Sequence, residues 1–178
     1  RRAERAAQNV RRVAADLAQH PEQYRLVTRY AEYVEARQAG LTAGFIRIQG
    51  GQAFQQSREA LDSIPTEVHR ITLVHLTNSR IGSTSSPLAL RRSGLTDRGR
   101  ELVEVMNQKR ILVDLAHINR KGFWDVAEVH DRTQPLACTH TGVCGARDHW
   151  RNVDDEQIRL VAETGGTIGI VFHSAFLA

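Results

Sequence analysis

Ile111-Leu112-Val113-Asp114-Leu115-Ala116 runs directly into His117. The run is too continuously apolar for a strand with one wet face, and it ends on a side chain able to bind a metal or a carbonyl. Three other stretches repeat the design: Phe45-Ile46-Arg47-Ile48 leads into Gln49, Ile71-Thr72-Leu73-Val74 into His75, and Leu136-Ala137-Cys138-Thr139 into His140. Strands apolar on both faces belong to a parallel sheet covered by helices. In a parallel α/β barrel the carboxyl ends of such strands share one rim, where side chains from different strands form a single site. The pattern predicts an α/β fold of the TIM-type (β/α)8 class with a metal-assisted site on that rim.

Outward from these runs, strand-like segments at 44–48, 70–75, 111–116, 135–139 and 167–172 alternate with helical periods at 56–64, 97–109, 120–131 and 155–163. That is about five βα units. A closed barrel usually takes ~250 residues, and the chain has 178. The expectation is an incomplete barrel, either a segment of a longer polypeptide or a degenerate relative. We read residues 1–178 as a single barrel domain or a fragment of one, with a helical lead-in over 1–40 and βα units over 41–178. Within the lead-in, Ala6, Val10, Val13, Ala14 and Leu17 fall at helical spacing. Pro21 ends that helix, and Leu26, Tyr30, Tyr33 and Val34 predict a second over 22–37. Thr96 is placed to cap the 97–109 helix, and Asp154 with Gln157 forms a capping-box pattern.

The net charge of +4 has a local origin, because Arg1, Arg2, Arg5, Arg11 and Arg12 against Glu4 supply all of it. A solvated helix face explains this segment, and no nucleic-acid partner is expected. Cys138 and Cys144 form no CxxC pair or zinc knuckle, and Cys138 in its apolar run reads as a small buried residue. No membrane segment is seen, and cytoplasmic localisation is the expectation. The long irregular stretch from Thr77 to Gly94 reads as a functional loop or as a surface excursion, and the sequence leaves both open.

Imidazole nitrogen binds zinc well at neutral pH, and a site that keeps one position for water turns that water into a nucleophile near pH ~7. His117 and His140 are the leading candidates on their position alone. Asp114, inside the same run as His117, reads either as a hydrogen-bonding support for that strand or as a plain structural residue. His173 follows the last strand and is a weaker rim candidate. His69, His130 and His149 are expected to be exposed, and Trp124 and Trp150 to serve packing.

Longer motifs sharpen this reading. GLTDRGRELVEVMNQKRILVDLAHI (Gly94 to Ile118) resembles the GLTxxGxxLVxxMNxxGxxVDLSH segment of the renal, or membrane, dipeptidase family of zinc metallopeptidases. ACTHTGVCGARDHWRNVDDEQIRLVAETGGTIGIVF (Ala137 to Phe172) is similar to that family's SHS/SHT, RNxxDEQ and GGxxGVxF block. IRIQGGQAF (Ile46 to Phe54) and ITLVHLTNS (Ile71 to Ser79) resemble its (V/I)EGG(H/N)A and LTLTH(x)xNN elements. The resemblance spans about residues 40–178 in unbroken order.

The resemblance implies a TIM barrel with two zinc ions sharing a bridging carboxylate, hydrolysing dipeptides. It assigns His117 and His140 to one zinc, His75 to the substrate and its tetrahedral intermediate, and Arg151 to the substrate carboxylate. Gln49 stands at the bridging-glutamate position, where a neutral amide offers a carbonyl oxygen but no negative charge. It is therefore a weak ligand, and the second zinc is doubtful. The family's HxD pair has no counterpart, since His20 is followed by Pro21, and its later GSDxDG aspartate would lie beyond Ala178.

The function expected from sequence is a metal-dependent hydrolase cleaving dipeptides by a zinc-activated water. A catalytically impaired barrel that binds a small carboxylate ligand, and a mononuclear amidohydrolase, are the alternatives. The partners expected are a small dipeptide substrate, a second copy in a homodimer, and other segments of the same polypeptide.

Overall fold

The computed structural model describes residues 1–90 and 93–177. Arg91 and Arg92, within the Thr77–Gly94 stretch, and Ala178 lie outside the described residues. The main sheet holds β3 (Ile46–Gln49), β4 (Val68–Thr72), β5 (Leu112–Asp114), β6 (Leu136–Thr141) and β7 (Thr167–Ile170), all parallel and in sequential order. When every crossover advances by one strand with the usual right hand, all helices fall on one face. This is an α/β fold built as an arc of a TIM-type barrel. The outer face packs under α3 (Arg58–Asp62), α4 (Asp97–Lys109), α5 (Arg120–Val129) and α6 (Asp155–Glu163). Its core holds Phe54, Leu61, Ile71, Leu73, Leu102, Met106, Val113, Phe123 and Leu136.

The caps read from sequence are formed. Thr96 accepts a hydrogen bond from the Gly99 N–H, and Asp154 and Gln157 satisfy each other's backbone N–H groups. At the far end of α4, Lys109 Nζ donates to the carbonyls of Asp62 and Ile64 at 2.9 and 3.0 Å, tying α4 to the end of α3.

The lead-in departs from expectation. After α1 (Arg2–Ala18), residues Tyr24–Leu26 form β1, paired in parallel with β2 (Thr42–Gly44), and α2 begins only at Tyr30 and runs to Gln38. The Glu32 carboxylate explains the late start. It accepts from the N–H groups of Thr28 and Arg29, which holds those two residues out of the helix and leaves Tyr24–Leu26 free to pair.

His130, expected to be exposed, is buried at 7% exposure. Its Nε2 donates to the Gln134 carbonyl at 2.9 Å, and its Nδ1 is buried without a hydrogen-bond partner. Burial holds its pKa below the ordinary value. The unfolded imidazole takes up a proton near pH ~6.5 and the folded one resists it, so stability is full above that pH and falls as pH drops through the folded pKa. His130→Gln, which keeps a donor for Gln134, is expected to flatten the dependence of urea midpoint on pH below about 6.5. An unchanged slope would reject this account.

Candidate metal centre

The inner face of the sheet is polar. Gln49, Thr72 and Asp114 lie on adjacent strands, Gln49 paired with Thr72 and Thr72 with Asp114. At the carboxyl ends, side chains separated by up to 91 positions converge. His117 Nε2 and His140 Nε2 are 2.9 Å apart, and the Gln49 side-chain nitrogen lies 3.5 Å from the first and 3.4 Å from the second. His75 completes the group, its ring centroid 4.6 Å from that of His117 and nearly perpendicular to it. Four of the five residues singled out from sequence are therefore neighbours.

The fifth, Arg151, stands to one side. Its guanidinium donates to the His140 carbonyl at 2.7 Å and is buried at 7% exposure, with no carboxylate in ion-pair range among the described residues. It lines a cavity of about 320 Å³ with Leu115, Phe123, Cys138, Trp150 and Asp154. Trp150, expected to pack, is half exposed at this cavity. His173 is exposed, its ring tilted against that of Phe176 with the centroids 5.2 Å apart. His69 and His149 are half-buried: His69 Nδ1 lies 3.1 Å from the Thr28 carbonyl, and His149 Nδ1 accepts from the Arg151 N–H.

A network of acceptors sets the protonation of His140. Asp114 is fully buried, and its carboxylate accepts from Thr72 Oγ1 and Thr139 Oγ1, each at 2.7 Å, and from the N–H groups of Ala116 and Thr139, each at 3.1 Å. The single proton of Thr139 is spent on Asp114. Its oxygen, 2.9 Å from His140 Nδ1, must therefore accept from that nitrogen. His140 is thus fixed with its proton on Nδ1 and a lone pair on Nε2, the atom facing His117. Outer partners that orient a metal-binding imidazole act in this way.

Both imidazoles are kept neutral. Burial, then the positive charge of Arg151, pushes His117 down to about 3, and the same two causes lower His140. Cys138 is the small buried residue read from sequence, and burial pushes its thiol up to about 12.

The donor set fits one divalent cation. Zn–N bonds of ~2.0–2.1 Å on two nitrogens 2.9 Å apart subtend ~90°, narrower than tetrahedral but within coordination range. The Gln49 carbonyl oxygen is half a turn of its amide from the same position. The donor set does not fit a carboxylate-bridged pair. Among the described residues no group of three or more His, Cys, Asp or Glu side chains is arranged to hold a metal.

An 84-residue stretch, 47% of the chain, is 38% identical to the "Uncharacterized protein in pqqA 5'region" of Klebsiella pneumoniae, covering 30% of that protein. The probable dipeptidase PvdM from Pseudomonas aeruginosa has the same fold, with a TM-score of 0.84 at 19% identity over 94% of this chain and 43% of that one. A metallo peptidase from Rhodobacter sphaeroides, solved with a phosphinate mimic of the dipeptide L-Ala-D-Ala, aligns with a TM-score of 0.74 at 27% identity, covering 86% of this chain and 45% of that one. The chain thus spans half or less of the length of each of these proteins. The profile of the membrane dipeptidases, peptidase family M19, matches residues 1–178 from end to end, and the chain belongs to that family.

Proposed function

We propose that this chain forms the metal-binding rim of a zinc-dependent dipeptidase, with His117 and His140 holding one ion and Gln49 as a weak third donor. The observation that carries this reading is the 2.9 Å approach of two neutral imidazole nitrogens on adjacent strand ends. Bound zinc supplies a water that ionises near neutral pH. The remaining work belongs to the chain. Asp114 and Thr139 keep the Nε2 of His140 free of its proton. His75, in edge contact with His117, donates to oxygen charge that develops on the scissile carbonyl. Arg151 receives the carboxylate of the dipeptide, a role that suits a buried guanidinium with no acidic partner among the described residues.

Zinc analysis of the purified protein, joined to hydrolysis of a dipeptide panel, tests the proposal. About one zinc per chain and measurable turnover are expected, both lost in His140→Ala. Absence of zinc and of turnover in the unaltered protein would reject it. Metal without turnover on any dipeptide would favour the silent carboxylate-binding barrel, for which the neutral Gln49 argues.

Arg151 is tested separately. Arg151→Met is expected to raise KM by ~30-fold while changing kcat less than ~3-fold, as for loss of a contact made equally in ground and transition states. Arg151→Lys should recover part of the loss, because it restores charge but not the planar fork. An unaltered KM would remove Arg151 from the binding role.

A further inference from the structure

His117 occupies a backbone conformation that its residue type disfavours. Its φ is +70°, and apart from Arg110 no other non-glycine residue among those described has a positive φ. The Ile118 N–H donates to the Leu115 carbonyl at 3.2 Å, which makes Leu115 to Ile118 a tight turn with His117 at its third position. In turns of this kind that position calls for positive φ and usually takes Gly or Asn. The reversal has a consequence for the site. Asp114 faces the inner side of the sheet, and unbroken alternation would send residue 117 to the outer side with Val113 and Leu115. The left-handed turn instead delivers the imidazole to His140.

The turn is gripped from outside. The His117 carbonyl accepts from Thr84 Oγ1 at 3.1 Å and from the Ser85 N–H at 2.7 Å. Thr84 is itself fixed: it is 1% exposed, its N–H donates to Asn78 Oδ1 at 3.0 Å, and it forms an antiparallel bridge with Ile118. On the next residue the Asn119 N–H donates to the Ser83 carbonyl at 3.1 Å, and Asn119 then caps α5. Ser83, Thr84 and Ser85, from the segment that follows His75, therefore bind the backbone of His117 and Asn119 directly.

We infer that Thr84 is a positioning residue whose hydroxyl holds His117 in the left-handed turn and so aims its imidazole at the cation. This rests on the reading of His117 as a ligand, but the clamp itself can be examined without metal. Thr84→Val keeps the shape and removes the hydroxyl, while Thr84→Ser keeps the hydroxyl. The valine variant is expected to bind zinc ~10-fold more weakly in chelator competition and to alter the visible spectrum of the cobalt-substituted protein, with the serine variant within ~3-fold of the unaltered protein. In the metal-free protein, the amide-to-α-proton coupling of His117, which reports its φ, is expected to change in the valine variant only.

A valine variant that loses thermal stability but keeps its zinc affinity, cobalt spectrum and coupling would overturn the inference and leave Thr84 a purely structural residue. If the unaltered protein binds no zinc, the metal reading fails. The coupling then decides the clamp by itself, an unchanged value rejecting it and a changed one supporting it.

Discussion

Replacing Gln49 with glutamate is expected to tighten zinc binding by ~30- to 100-fold, to raise the metal content above one per chain, and to increase dipeptide hydrolysis. The side chain already stands beside both imidazoles, its terminal nitrogen 3.5 and 3.4 Å from the Nε2 atoms of His117 and His140. Glutamate has the same length and branching, so the change is one of charge and acceptor number alone. An ionised acceptor forms roughly twice as strong an interaction with a cationic partner as a neutral one does, and the expected gain corresponds to ~2–3 kcal/mol at 1.4 kcal/mol per decade. The carboxylate also has two oxygens, so it can serve two ions where an amide offers one oxygen. Metal titration by calorimetry and kcat/KM on a dipeptide panel provide the measurement. A Gln49→Glu protein with neither tighter binding nor new turnover would show that the rim is not a dormant or weakened hydrolase, and would leave the binding-protein reading in its place.

The parts of this site that sequence reveals are those carried by strand ends. Apolar runs closing on His75, His117 and His140 mark the sheet and its rim together, because both depend on local order along one strand. The charge and capping patterns at Thr96 and Asp154 are legible for the same reason. What sequence conceals is carried by hydrogen bonds between distant segments. Thr84 meets the carbonyl of His117 across 33 positions and Asp114 meets Thr139 across 25, and no periodicity encodes either. A faint signal does exist: Thr72 and Thr139 are hydroxyls set in otherwise apolar runs, and both face the one carboxylate buried between them. β1 was hidden differently. Its residues fit a helical face, and only the grip of Glu32 on Thr28 and Arg29 delays the helix to Tyr30.

Asp114→Asn is expected to weaken zinc binding by ~10- to 100-fold, the range for loss of an outer partner of a metal-binding histidine, and to move the proton of His140 from Nδ1 to Nε2. The carboxylate accepts four hydrogen bonds, two N–H donors at one oxygen and two hydroxyls at the other. An amide cannot reproduce this. With its NH₂ toward the backbone, it opposes two N–H donors. With its NH₂ toward the hydroxyls, it donates to Thr139, whose own proton must then turn to His140 Nδ1. The second arrangement has fewer conflicts, and it leaves Nε2 protonated with no lone pair for a cation. Arg70, whose Nε lies 3.7 Å from Asp114, also loses its charge partner, so stability should fall by about 1–3 kcal/mol. The imidazole nitrogen shifts of His140 read the tautomer directly. Thr139→Ser should retain the unaltered tautomer and Thr139→Val should not. If His140 keeps its Nδ1 proton and its zinc affinity in Asp114→Asn, the chain from Asp114 through Thr139 does not control the ligand, and the burial of Asp114 serves the sheet alone.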